Sequence, residues 1–150
     1  MGWFDWLRKT PAPVIDHRRF GRVRASRRPK TGQWLWEVLN PVATEFGSID
    51  MTFDAGEDGP DEAHERQLDA ILADRDEMTR AAAPLIAGDL AHFLDKPLPE
   101  NPWDELTLEF VHLSGRPGDF EMSYSCKSWP DASITAYFEK ARPTVIQIDD

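Results

Sequence analysis

The stretch Leu106–Ile148, LTLEFVHLSGRPGDFEMSYSCKSWPDASITAYFEKARPTVIQI, decides the fold, because it reads as four consecutive β-strands joined by short turns. In Leu106-Thr107-Leu108-Glu109-Phe110 the apolar residues fall on every second position, so one face of that strand is built to be buried and the other solvated. Phe120, Met122, Tyr124 and Cys126 alternate with Glu121, Ser123, Ser125 and Lys127 in the same way. Ile134, Ala136 and Phe138 then alternate with Thr135, Tyr137 and Glu139, and Ile146 and Ile148 with Gln147 and Asp149. The segments between them, Ser114 to Asp119, Trp129-Pro130-Asp131 and Ala141-Arg142-Pro143, are rich in chain-reversing residues. Loops this short join antiparallel neighbours, so a meander is expected.

Upstream, Ile49, Met51 and Phe53 alternate with Ser48, Asp50 and Thr52 in another half-buried strand. Trp34-Leu35-Trp36-Glu37-Val38-Leu39 reads as a strand after an Arg-rich turn, and Asn40-Pro41 interrupts it. Between the two halves a helix is expected from about Asp61 to about Leu94. Asp61, Glu62 and Glu65 complement its macrodipole, and Leu68, Ile71, Leu72, Met78, Ala82 and Leu85 form the stripe that faces the sheet. Pro84 should kink or divide it. The expectation is an α+β domain over residues 14–150. It has a largely antiparallel sheet of about six or seven strands ending in the meander, with one long, Pro-kinked helix packed on one face. Residues 1–13 form a Trp-rich N-terminal segment and a Pro linker.

The chain of 150 residues carries a net charge of −10, unevenly spread. Up to Gln33 there are nine Lys or Arg against two Asp or Glu; from Trp34 onward there are eight against 25. An acidic body repels phosphate backbones and attracts a basic partner by long-range steering. No apolar run approaches the ~20 residues that span a bilayer, and no secretory leader is apparent. A single cysteine, Cys126, forms no internal disulfide, which suits the cytoplasm. It shares a face with Phe120 and Met122 and reads as a small buried hydrophobe.

No catalytic residues, metal ligands or cofactor site are expected. Asp54 to Glu65 has the letters of a twelve-residue calcium loop, but Gly56 stands where an oxygen ligand belongs, and acidic residues opening a helix account for the same pattern. The histidines are scattered, and His112 reads as a satisfied histidine at a strand end. Carboxylates are too numerous to single out an acid–base pair, so a hydrolase or transferase built on them stays as an alternative, to be revived by a deep pocket holding a carboxylate of raised pKa. Partner contacts are expected at Trp103 and Trp129, in loop stretches, and at Asp58, Asp61, Glu62 and Glu65. A second contact region is expected at Trp3, Trp6, Arg18, Arg19 and Arg22. Through it the first 30 residues would act as a peripheral membrane or nucleic-acid adaptor if those arginines were not spent on the acidic body.

The order Phe20-Gly21-x-Val23, Trp34-x-Trp36, Phe46-Gly47-Ser48-Ile49, a long acidic helix and Tyr124-x-Cys126-x-x-Trp129-x-Asp131 resembles small uncharacterised bacterial domains grouped with polymorphic-toxin immunity proteins. The resemblance implies an intracellular protein that binds and blocks a toxin domain, with no catalytic residues to carry over; with the acidic body it gives the expectation of a cytoplasmic, non-enzymatic protein that neutralises a basic toxin or other protein partner.

Overall fold

The computed structural model describes residues 12–27, 33–94 and 98–150. Trp3 and Trp6 therefore lie outside the described residues. The chain runs β1 (Val14–His17), β2 (Gly21–Arg27), β3 (Trp34–Val38), β4 (Val42–Thr44), β5 (Gly47–Ala55), α1 (Glu62–Ala73) and α2 (Arg75–Leu94). A short 3-10 turn at Pro102–Asp104 then leads into β6 (Leu106–Leu113), β7 (Phe120–Cys126), β8 (Trp129–Glu139) and β9 (Arg142–Asp149).

All nine strands join one sheet in the order β1-β2-β3-β5-β6-β7-β8-β9, with β4 beside the first half of β5. The α+β class and the antiparallel meander β6 to β9 are as the sequence implies. The strand count is higher than expected because β1 and β4, of four and three residues, are too short to show a period. β3 and β4 together form one long arm against β5, broken where Pro41 has no N–H to donate. Among the described strands only β5 and β6 pair in parallel, joined by the crossover that carries both helices.

Both helices lie on one face of the sheet. Leu68, Ile71, Ala82, Ile86 and Leu90 meet Trp36, Ile49, Met51, Phe53, Val111, Met122, Ile134 and Phe138 in a single core. Asp61 caps α1: its carboxylate accepts from Ala63 N at 2.9 Å, and His64 Nδ1 accepts from Asp61 N at 3.1 Å. The single kinked helix expected from the sequence is two helices, and the division falls at Asp74 rather than at Pro84. Arg75 opens α2 at that division, and its guanidinium lies 3.7 Å from the Phe46 ring centroid and 3.8 Å from that of Trp103. Pro84 sits on the exposed side of α2, and the helix continues through it. Leu85, expected in the buried stripe, is 42% exposed.

Candidate functional site

Among the described residues no helix covers the second face of the sheet, and one irregularity in β6 decides what it displays. Leu108 pairs with Tyr124 and Phe110 with Ser123, so Glu109 is an extra residue in that strand. The bulge inverts the alternation after it. Leu106 and Leu108 face the core as expected, but Phe110 does not join them. Val111 and Leu113 are buried instead, and Phe110 and His112 turn to the open face.

The open face is therefore a lattice of cross-strand neighbours. Arg24, Glu37, Thr52, His112, Glu121, Tyr137 and Val145 form one continuous row from β2 to β9. Asp50, Phe110, Ser123, Thr135 and Gln147 form the next. Side chains bond along and between these rows: Ser123 and Thr135 hydroxyls lie 2.8 Å apart within the second, and Tyr137 OH of the first donates to Gln147 Oε1 of the second at 3.0 Å. Strands β5 to β9 contain seven Asp or Glu and a single Lys or Arg, which is Arg142.

At the centre of this face His112 is held from both sides. Its Nε2 lies 2.9 Å from Asp54 Oδ2 and its Nδ1 2.7 Å from Thr52 Oγ1. A carboxylate only accepts, so Nε2–H donates to Asp54, and Nδ1 pairs with the Thr52 hydroxyl. The histidine is satisfied, as its sequence context implies. Thr, His and Asp in a line are the components of a nucleophilic triad, yet Thr52 sits mid-strand between β3 and β6, where the ladders claim the backbone N–H groups an oxyanion needs.

Beside His112 a cavity of about 560 Å³ opens at the rim of the face, walled by Asp54, His112, Glu121 and Tyr137 and by the loops carrying Arg116, Asp119 and Lys140. Burial raises the Glu121 carboxyl above its usual range; the His112 imidazole opposes that shift and the Asp54 charge adds to it. The far rim is the two-residue turn of the β8–β9 hairpin, where Lys140 and Ala141 both adopt positive φ, 50° and 62°. Ala141 N donates to Gly118 O at 2.9 Å and Lys140 N to Asp119 Oδ1 at 3.1 Å, which holds this turn against the neighbouring loop.

The residues singled out from the sequence fall elsewhere. Trp103 and Trp129 are half-buried and packed against the core, and Trp129 opens β8 instead of standing in a turn. Asp61 caps α1, Glu62 lies 3.7 Å from Arg66, and Glu65 accepts from Arg18 at 2.9 and 3.2 Å. Asp58 is exposed in the loop before α1. Arg19 pairs with Asp69, Arg22 lies 3.6 Å from Asp16, and Arg24 donates to Glu37 at 3.2 Å. Arg18, Arg19 and Arg24 are thus paired with carboxylates of the acidic body, and Arg22 with Asp16 beside it. Asp54, Asp61 and Glu65 of the calcium-like stretch are likewise engaged with His112, the helix cap and Arg18. Among the described residues no group of three or more His, Cys, Asp or Glu is placed to hold a metal ion. No helix among them is long and apolar enough to cross a membrane. Cys126 is buried, and its thiol is pushed up in pKa, first by that burial and then by Glu105.

Comparison with protein-family models, with curated proteins and with solved structures yields no match.

Proposed function

We propose that this protein is a non-enzymatic, cytoplasmic binding protein, immunity-like in kind, that engages and neutralises a basic protein partner through its acidic surface. The surface we assign is the open face of β5 to β9. The observation that carries this reading is charge placement: those strands hold seven carboxylates against one arginine, while Arg18, Arg19 and Arg24 near the start of the chain pair with carboxylates of the fold. Half-buried Phe110 and Tyr137 and the 57% exposed Val145 add the apolar contact that an interface needs among its charges. Steering by such a face gives fast association that weakens with salt.

The test is capture of partners from lysate by the full chain at low and high salt, beside two charge-neutralised variants. One carries D50N, E121Q and D149N on the open face; the other carries E77Q and E100Q on the helical side. A basic protein retained by wild type and the second variant, released by salt and lost from the first, is the expected result. Retention indifferent to salt or to the open-face substitutions overturns the reading. The adaptor alternative, acting through the first 30 residues, predicts loss in W3A/W6A instead.

A hydrolase or transferase is the second reading. It is favoured by one observation, a carboxylate of raised pKa, Glu121, in the cavity with His112 and Asp54. Turnover of ester or glycoside substrates abolished by E121Q would establish it.

A further inference from the structure

The geometry points to a specific use for the cavity at the rim of the open face: it receives one arginine side chain of the basic partner, with the guanidinium against Glu121 and the aliphatic stem along the Tyr137 ring. This rests on the binding-protein reading above and adds the residue that confers specificity.

Three observations carry it. The first is the state of Glu121. Half-buried on β7, its carboxylate makes no hydrogen bond or ion pair with any described residue, whereas His112, Arg116 and Asp119 beside it have partners; the Lys140 and Glu139 side chains also line the opening. His112 is given to Asp54 at 2.9 Å, Arg116 is drawn to Asp119 at 3.7 Å, and Asp119 accepts from the Lys140 backbone at 3.1 Å. A carboxylate partly removed from water and left without a counter-ion is costly unless a cation arrives. The second is shape. About 560 Å³ is ample for a planar guanidinium and its stem, and Tyr137, the cross-strand neighbour of Glu121, supplies the flat wall on which guanidinium groups stack. The third is rigidity. The Lys140-Ala141 turn is strained at both positions and pinned by Gly118 and Asp119, so the far wall is preorganised. Asp54, fixed through His112 and Thr52, stands as a second carboxylate at the same opening.

The experiment titrates the full chain with N-acetyl-arginine methylamide and with a hexa-arginine peptide, followed by backbone amide NMR and calorimetry. The single residue is expected to shift resonances around Glu121 and Tyr137 and to shift none of them in E121Q. The hexapeptide is expected to bind across the open face and to lose about tenfold in affinity in E121Q. D50N makes the same charge change on the same face outside the cavity, and should cost only about twofold. Equal losses in E121Q and D50N would overturn the cavity proposal while leaving the acidic-face reading intact. Equal affinity for hexa-lysine would remove the arginine preference and with it this assignment. Hexa-arginine binding that leaves the open-face resonances unmoved would sink the acidic-face reading itself.

Discussion

His112 and Asp54 meet across the one parallel strand pair of the sheet, Nε2 to Oδ2 at 2.9 Å, while the Asp54 carbonyl accepts from buried His64 Nε2 at 2.7 Å. Asp54 thus ties the open face to the start of α1 through one residue. Thr52 completes the clamp on His112. T52V replaces its hydroxyl with a methyl group of similar size and leaves Nδ1 without that partner. It should cost about 1 kcal/mol in chemical denaturation. A change near zero would mean that the imidazole is not held by this contact.

Glu121 gives a pH dependence of definite sign. Its pKa is raised in the folded state, chiefly by burial, so the protonated form is favoured by folding. That contribution is fully present below the unfolded-state pKa and is lost as pH rises through the folded one. At neutral pH the ionised carboxylate is a liability, and E121Q should be slightly more stable than wild type, by about 0.3 kcal/mol once screening on its exposed side is allowed for. The advantage should vanish at acid pH. A stability loss in E121Q at pH 7 would show that the carboxylate has a partner within the fold.

The chain has only two tyrosines, which makes alkaline titration readable. Tyr124 is pushed up to about 12 by burial, its hydroxyl lying 2.9 Å from Thr79 Oγ1, while Tyr137 is raised by burial and then by Glu121 and Asp149. Ultraviolet titration should show Tyr137 ionising first. Because Tyr124 titrates near 10 once unfolded, its stabilising effect is whole below that pH and lost as pH rises toward 12. Y124F should therefore flatten the alkaline fall in stability, at a cost of about 1 kcal/mol at pH 7 from the lost Thr79 bond.

The rim of the cavity offers two substitutions of opposite sign. Gly118 has φ of +82°, and a Cβ there would lie 2.7 Å from Ala141 N and 2.8 Å from Lys140 Cα. Backbone cannot yield as a side chain tip would, so G118A should cost about 2–4 kcal/mol. Ala141 holds φ of 62° without being glycine, and A141G should stabilise by about 1 kcal/mol. Thermal unfolding of the pair checks both; destabilisation by A141G would mean that the turn carries no strain.

Arg75 is held between Phe46 and Trp103 and also donates to Asp76 Oδ1 at 3.1 Å. R75K keeps the charge but loses the planar stack, and should cost about 1 kcal/mol in thermal unfolding. A loss no larger than in an exposed control such as R80K would mean that the stack contributes nothing to stability.

Much of the fold is legible in local pattern. The four C-terminal strands alternate at period two because one face of each is buried, and the β6–β7 loop carries Gly and Pro where the chain reverses; the other two reversals fall at Lys127-Ser128 and Lys140-Ala141, and the expected turn residues Pro130 and Pro143 lie inside β8 and β9. The helix start is legible in Asp61, since a cap needs only the residues beside it. The pairing of the early arginines with the body is legible in charge balance, though not which carboxylate each one takes. The candidate site is not legible. Thr52 and His112 are 60 positions apart, and no local signal links them. Trp103 and Trp129 look like exposed loop aromatics in sequence, yet both pack on the core, because apolar area in a loop is buried whenever the chain path allows it.

The sequence by itself therefore determined the class of the domain, the C-terminal meander, the helix start and the acidity of the body, all of which follow from short-range periodicity and composition. Only the tertiary structure decided which face stays open and what stands on it. The bulge at Glu109 costs nothing visible in the letters, for Leu106-Thr107-Leu108-Glu109-Phe110 alternates without a flaw. What places the extra residue there is the fit of β6 between β5 and β7. Burying Val111 and Leu113 under the helices outweighs the broken alternation and turns Phe110 and His112 outward, where His112 meets Thr52, Asp54 and Glu121.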